Sequence, residues 1–308
     1  MINMGFTEPA YIKTAKSGAL YEKVKRSWEI LENCALCPRM CGIDRISGET
    51  GICKTGKSAM VSSFNAHFGE EAPLVGRNGS GTIFFTHCNL MCCFCQNFDI
   101  SHEGLGSAVN DEELAAIMIA IQNEGCHNIN LVTPSHVVPQ FLSALEKAID
   151  AGLTIPIVYN SGGYDRIETL RLLDGVVDIY MPDFKFWDPA VAEATCDAQD
   201  YPDIARAAMQ EMHRQVGDLR IDADGIAKSG LLVRHLVLPE NLAGTRHIMK
   251  FIHDKISPDT YVNIMAQYRP CGMAHKIKGL GRRITADELN EALKAAQEEG
   301  ITRLDRIR

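Results

Sequence analysis

The chain has 308 residues, 46% of them hydrophobic and 23% charged, with a formal net charge of −8. These are globular proportions, so disordered and collagen-like architectures are excluded, and the length suits about two average domains or one barrel-sized domain with an appendage. The acidic balance, with no basic run longer than Lys23-Val24-Lys25-Arg26, makes nucleic acid and anionic membranes poor partners. Eleven cysteines stand out: the number is odd, and seven fall in two tight groups, which a disulfide framework does not require. Residues 1–16 lack the apolar core of a signal peptide, and no apolar run approaches the roughly 18–20 residues of a membrane span. A cytoplasmic location is expected, where clustered thiols point to metal.

Residues 1–78 carry one short helical pattern at 21–32, much glycine and the first cysteine group, and are expected to form an N-terminal cysteine-rich extension. Cys34, Cys37, Cys41 and Cys53 are spaced Cys-x2-Cys-x3-Cys-x11-Cys, with Pro38, Gly42, Gly48 and Gly51 allowing tight turns between them. Four thiolates in a closed set suit structural zinc or a second iron–sulfur cluster, two soft-ligand sites that spacing does not separate. A small knuckle with little apolar core of its own leans towards zinc, around which it would fold. The stretch His67-Phe68-Gly69-Glu70-Glu71-Ala72-Pro73 follows. Its carboxylate pair beside a histidine suits a substrate or a cation, and equally a solvated turn.

From 79 to 308 short apolar runs rich in Val, Ile and Leu alternate with helical patterns. Strands are expected at 82–86, 129–133, 155–160, 176–181, 231–238 and 261–267, with too little polar alternation for a solvated face. Asn110 caps an amphipathic run that stops at Gly125, a second runs from His136 through Pro139 to Gly152, and Thr285-Ala286-Asp287-Glu288 is a capping box for a helix ending at Gly300. Residues 188–230 read as a long, mostly helical insertion before the fifth strand. Six strand–helix units imply parallel strands with right-handed crossovers but fall short of an eight-stranded barrel. The expected fold is α/β, a partial (β/α)6 barrel, with a doubly wound open sheet as the alternative. Either way the functional residues belong at the C-terminal ends of the strands.

Directly beyond the first of these strands comes Cys88-Asn89-Leu90-Met91-Cys92-Cys93-Phe94-Cys95-Gln96-Asn97. Cys88, Cys92 and Cys95 can wrap one face of an iron–sulfur cube, leaving one iron without a protein thiolate. A zinc site with a distant fourth ligand is the alternative. Cys93 reads as a packing residue between ligands. Cys126, Cys196 and Cys271 are isolated and read as core or spare, with Cys271 nearest the catalytic end.

The Cys-x3-Cys-x2-Cys spacing with Phe94 before its last cysteine resembles the signature of the radical S-adenosylmethionine (SAM) superfamily, over roughly residues 79–308. The resemblance implies the partial barrel of radical SAM type and a 4Fe–4S cluster on the three catalytic cysteines. It also implies that the methionyl amino and carboxylate groups of SAM occupy the fourth iron. One electron would cleave SAM to methionine and a 5′-deoxyadenosyl radical, which takes hydrogen from substrate.

Further matches are similar to the branch of pyruvate formate-lyase activating enzyme, an oxygen-sensitive oxidoreductase group. Cys95-Gln96-Asn97 resembles the end of those enzymes' cluster loop, and Val158-Tyr159-Asn160-Ser161-Gly162-Gly163 their Thr-Asn-Gly turn near the cofactor. Asp178-Ile179-Tyr180-Met181-Pro182-Asp183-Phe184-Lys185 resembles their Asp-x-Lys, and Val233-Arg234-His235-Leu236-Val237-Leu238-Pro239 their fifth strand, while Tyr268 falls at a polar position after the sixth. The cofactor-binding residues so implied are Phe94, Asn97, Thr133, Ser135, Asn160, Asp183, Lys185, Arg234 and Tyr268. Where the activases carry Gly-Gly-Glu to hold the cofactor's amino group, this chain has Val132-Thr133-Pro134-Ser135-His136. The resemblance also extends through residues 67–73.

Plainer readings stand beside these: Asp183 and Lys185 as an exposed pair, His136 and His235 as packing histidines, Asn160 as a turn residue. The partners implied are an electron donor such as flavodoxin or ferredoxin and, for an activase, a glycyl-radical protein activated by hydrogen removal from a backbone glycine. Modification of a small molecule or peptide side chain is the alternative, and a non-catalytic iron–sulfur electron carrier is the rival from another class.

Overall fold

The computed structural model describes residues 8–306; residues 1–7, where the reading of a missing signal peptide begins, lie outside the described residues. Nine strands form one sheet: β1 (Ala59–His67), β2 (Ser80–Phe85), β3 (Ser107–Val109), β4 (Ile129–Val132), β5 (Ile157–Ser161), β6 (Ile179–Pro182), β7 (Arg220–Ile221), β8 (Ala227–Leu236) and β9 (Tyr261–Met265). Its centre is the parallel series β2-β4-β5-β6-β8-β9, each consecutive pair joined through a helical crossover. This is the partial (β/α)6 barrel. The six expected strands are all present, and the capping boxes at Asn110–Glu113 and Thr285–Glu288 both form.

Three local features depart from the sequence reading. β1 was not expected, because Ser62, Ser63 and Asn65 break its apolar run. It pairs antiparallel with β2 and β3 and so carries the cysteine-rich extension into the barrel sheet. β6 begins only at Ile179, because residues 173–177 are held in a turn through Gly175 at φ 74°. The 188–230 segment supplies helices Pro189–Cys196 and Tyr201–Val216, but ends in β7 and the first residues of β8.

The strand pleat sorts side chains between two cores. The larger one lies between the sheet and its outer helices. A smaller one, with Val158, Ile179, Met181 and Leu232, sits on the inner face and receives Leu74 from the short helix Ala72–Val75. Asn128 Nδ2 donates to the Leu74 carbonyl at 3.0 Å, and Asn263 Nδ2 on β9 donates to Glu71 Oε1 at 2.8 Å. The 70–75 segment thus fills the barrel floor between the β2–β4 side and β9. Above that floor, alternation continues Val158 to Asn160, Met181 to Asp183 and Leu232 to Arg234. Polar groups therefore emerge where the strands end. No helix among the described residues is long and apolar enough to cross a membrane.

The first helix, Ala10–Lys16, is pinned under the barrel by Asp178. The Ala10 N–H donates to its Oδ1 at 2.7 Å and the Ile157 N–H to its Oδ2 at 2.9 Å. Burial outweighs these bonds and pushes the carboxyl up to about 7. The folded chain then keeps a proton that the unfolded chain releases near pH 4. This group's contribution is greatest below about pH 4 and falls as pH rises towards 7. Asp178→Asn removes that titration, so the stability of the wild type relative to the variant should decline between about pH 4 and 7. Urea melts at several pH values check it, and a difference independent of pH contradicts the assignment.

Candidate active site at the strand ends

The loop after β2 is shaped by two residues in the left-handed region, His87 at φ 71° and Met91 at φ 57°. They curl the chain so that the Leu90 N–H donates to Cys88 Sγ at 3.3 Å, while the Cys95 N–H closes a turn on the Cys92 carbonyl at 3.0 Å. Cys93 turns away from the cavity as expected. Its N–H donates to the Thr195 carbonyl and its own carbonyl accepts from the Met273 N–H, which ties the loop to the segments on either side. Phe94 packs edge-on against Phe186 and Tyr268, with ring centroids 5.9 and 6.0 Å away.

Cys88, Cys92 and Cys95 line one cavity with Phe94, Asn97, Thr133, Asn160, Asp183, Lys185 and Arg234. Every site residue expected from the resemblance is there except two. Ser135 is buried and donates its hydroxyl to Asp165 Oδ1 at 2.6 Å; Tyr268 donates its hydroxyl to the Leu280 carbonyl at 2.7 Å and offers only its ring, to Phe94. Their polar atoms are committed elsewhere and neither residue lines the cavity.

Burial pushes the Cys88 thiol up to about 12 and raises Cys95 against a hydrogen bond from Ser101. Cys92 is raised first by its neighbour Cys196 and then by burial. Such thiols ionise only beside a strong local cation, the service that a bound metal performs. Among the described residues no three His, Cys, Asp or Glu side chains are arranged to hold a single ion. A cube differs, because each thiolate meets its own iron; three sulfurs sharing a cavity wall, with backbone N–H groups aimed at them, fit that group.

The facing wall is ionic. Asp183 sits between Lys185, whose Nζ lies 2.5 Å from Oδ2, and Arg234, whose Nε donates to Oδ1 at 2.7 Å. Arg234 Nη2 donates to Asn160 Oδ1 at 2.7 Å, and Nη1 stands 3.8 Å from Glu70 Oε2 in the floor. Burial works against the Asp183 carboxylate, but the two cations outweigh it and hold its pKa below the usual range. Burial likewise pushes Glu70 up, and His67, 3.0 Å away, together with Arg234 more than reverses it. Asp183 and Lys185 are therefore a buried pair, not an exposed one. His235 is a packing histidine: Nδ1 contacts the Phe184 carbonyl and Nε2 the Thr245 hydroxyl, and burial pushes its pKa down to about 4.

Asp165 escaped the sequence reading. It accepts hydroxyls from Ser135, Ser161 and Tyr159 at 2.6, 2.6 and 3.0 Å and so steadies Ser161 in the cavity wall. Its place four residues after Ser161, in the turn that follows β5, was the available signal.

No family model matches the chain. The Uncharacterized protein MJ0674 of Methanocaldococcus jannaschii is 33% identical over 307 residues, covering 97% of this chain and 83% of that protein. The chain belongs to that protein's family. Among solved structures it is similar to a radical SAM methyltransferase from Sphaerobacter thermophilus, with a TM-score of 0.51 and 13% identity over 74% of this chain. The chain spans 66% of that enzyme's solved length, just under two thirds. At this identity the likeness shows the fold alone, a partial barrel similar to that enzyme's.

Thr133 keeps a glycine-like backbone at φ 61°. A β-branched residue there stores about 1–3 kcal/mol of strain, more than the roughly 0.4–1 kcal/mol of unfolded-state entropy that glycine forfeits. Thr133→Gly should raise Tm by a few degrees, as calorimetry would show. A lower Tm contradicts the strain.

Proposed function

We propose that the protein is a radical SAM enzyme. A 4Fe–4S cluster would be held by Cys88, Cys92 and Cys95, and the methionyl end of SAM by the ionic wall across the cavity. The observation that carries this reading is the meeting, in one cavity, of three thiols with the Lys185–Asp183–Arg234–Asn160 lattice. Bound there, the cluster supplies one electron, from a donor such as flavodoxin or ferredoxin, that cleaves SAM to methionine and a hydrogen-abstracting 5′-deoxyadenosyl radical.

The chain's residues divide the remaining tasks. Lys185 and Arg234 carry N–H groups beyond those given to Asp183 and Asn160, and these suit a carboxylate. Asp183 and Asn160 orient both cations and add acceptors for an ammonium group. Thr133, at the end of β4, offers a hydroxyl and a carbonyl in place of the activases' Gly-Gly-Glu. Phe94, Leu90, Leu236 and Met265 supply an apolar rim that limits water.

The substrate is the finer question. The motif matches favour the activating-enzyme-like branch, and with it hydrogen removal from a glycine of a protein partner. The insertion lends no support to a closed small-molecule site. Tyr201 of its long helix donates to the Asp183 carbonyl at 2.9 Å and accepts from the Lys185 N–H at 2.9 Å, so that helix backs the cavity rather than covering it. Deuterium from a labelled glycyl-radical protein should appear in 5′-deoxyadenosine. Its absence with every such protein would turn the reading to a small molecule or peptide side chain.

Cys88→Ala, Cys92→Ala or Cys95→Ala should each abolish dithionite-driven formation of 5′-deoxyadenosine under anaerobic conditions. Lys185→Met should weaken SAM binding by roughly 10- to 100-fold, the worth of one charge-assisted hydrogen bond. Unchanged cleavage in the cysteine variants would remove the ligand assignment, and a wild type that binds iron but no SAM would favour the electron carrier.

A further inference from the structure

The four cysteines of the extension line one enclosed cavity, and Arg45 and His136 line it with them. Arg45 is 1% exposed. Its Nε and Nη2 both donate to a single carbonyl, that of Gly56, at 3.2 and 2.9 Å, and its Nη1 lies 4.0 Å from Cys34 Sγ. Among the described residues no carboxylate pairs with it. A guanidinium removed from water in this way carries a large desolvation cost and requires a counter-anion. Among the described residues the candidates around it are sulfurs, and neutral thiols supply no charge.

His136 deepens the requirement. Its Nε2 donates to the Thr86 carbonyl at 2.9 Å, and its buried Nδ1 is left without a partner. An imidazole supplies no anion, so the histidine does not balance the arginine.

Four thiolates on a zinc(II) ion, or on an oxidised 4Fe–4S cluster, leave a doubly negative centre, and either would supply the missing anion. A cluster meets each thiolate with its own iron and so needs a shared cavity but no convergence of sulfurs on one point, which is the arrangement present.

The same turn reaches the other cysteine loop. Arg39, between Cys37 and Cys41, donates from Nε to the Asn89 carbonyl at 3.1 Å and from Nη2 to the Leu90 carbonyl at 3.3 Å, both lying between Cys88 and Cys92. The Nη2 also donates to the Cys196 carbonyl at 2.7 Å, and the guanidinium lies over the Tyr164 ring at 5.3 Å. We propose that Cys34, Cys37, Cys41 and Cys53 hold a second, negatively charged metal–thiolate centre with Arg45 as its buried counter-ion. This centre fixes the turn from which Arg39 clamps the Cys88–Cys92 loop. The clamp, though not the centre, rests on the function proposed above.

The test is metal and sulfide content of the full chain, purified and reconstituted without oxygen, in wild type and in Cys37→Ser/Cys41→Ser. A loss of about four irons with sulfide identifies a cluster, and a loss of about one zinc identifies a single ion; equal content in both proteins overturns the proposal. Should the double variant fail to fold, Arg45→Met keeps all four thiols. It should release metal to a chelator at least tenfold faster than wild type, with Arg45→Lys closer to wild type, and equal rates for wild type and Arg45→Met overturn the counter-ion role. Measuring the same metal in the Cys88→Ala/Cys92→Ala/Cys95→Ala background separates this centre from the SAM reading, since it should persist there. For the clamp, Arg39→Met should retain the second centre yet broaden the electron paramagnetic resonance signal of the other cluster. A signal identical to wild type overturns it.

Discussion

The site depends on one buried ion pair. Arg234 on β8 and Asp183 after β6 meet across the strand ends, and the arginine also reaches Asn160 on β5 and faces Glu70 in the floor. One guanidinium thus fixes the relative height of three parallel strands and the plug beneath them. Removing Asp183 would leave two buried cations, Arg234 and Lys185, without the carboxylate they share, at about 3–5 kcal/mol. Lys185 makes Asp183 the centre of a triad in which positive charge exceeds what the aspartate alone can balance. The surplus is shared between the carboxylates below and the cavity above. A wall of this kind suits a ligand that brings its own carboxylate.

The cysteine loop solves a different problem. Three thiols line one cavity wall, and the chain around them is held in place. Left-handed turns at His87 and Met91 provide the curl, and backbone hydrogen bonds from neighbouring segments provide the stillness. Arg39 adds side-chain donors from outside the barrel. The loop is therefore held from several directions at once by parts of the chain remote in sequence, which is what a centre requiring fixed ligands needs. The floor formed by 70–75 closes the barrel from below, so the described cavity opens where the thiols and the ionic wall meet.

Much of this was legible in the sequence for identifiable reasons. The parallel strands announce themselves because both faces are covered, and covered strands read as unbroken Val, Ile and Leu runs. Thiol spacing survives as a pattern because the cysteines lie in one loop. Asp183, Lys185 and Arg234 were found through their motifs, but their burial was not foreseeable, since a charged residue at a strand end reads as solvated until its partner from another strand is known. Ser135 and Tyr268 bond their hydroxyls away from the cavity, which sequence position does not reveal, because it gives the neighbourhood of a side chain and not where its hydroxyl is spent. β1 was missed because its serines and asparagine hide the alternation, and Arg39 because its partners lie on distant segments. What escapes is pairing over long sequence separation.

The most direct test of the central claim is the electron paramagnetic resonance spectrum of the anaerobically reconstituted, reduced protein before and after SAM is added. The account predicts a 4Fe–4S signal whose g values shift when SAM binds the iron that lacks a cysteine, with the signal absent from Cys88→Ala/Cys92→Ala/Cys95→Ala. A signal that ignores SAM, or that survives the loss of those three cysteines unchanged, would contradict it.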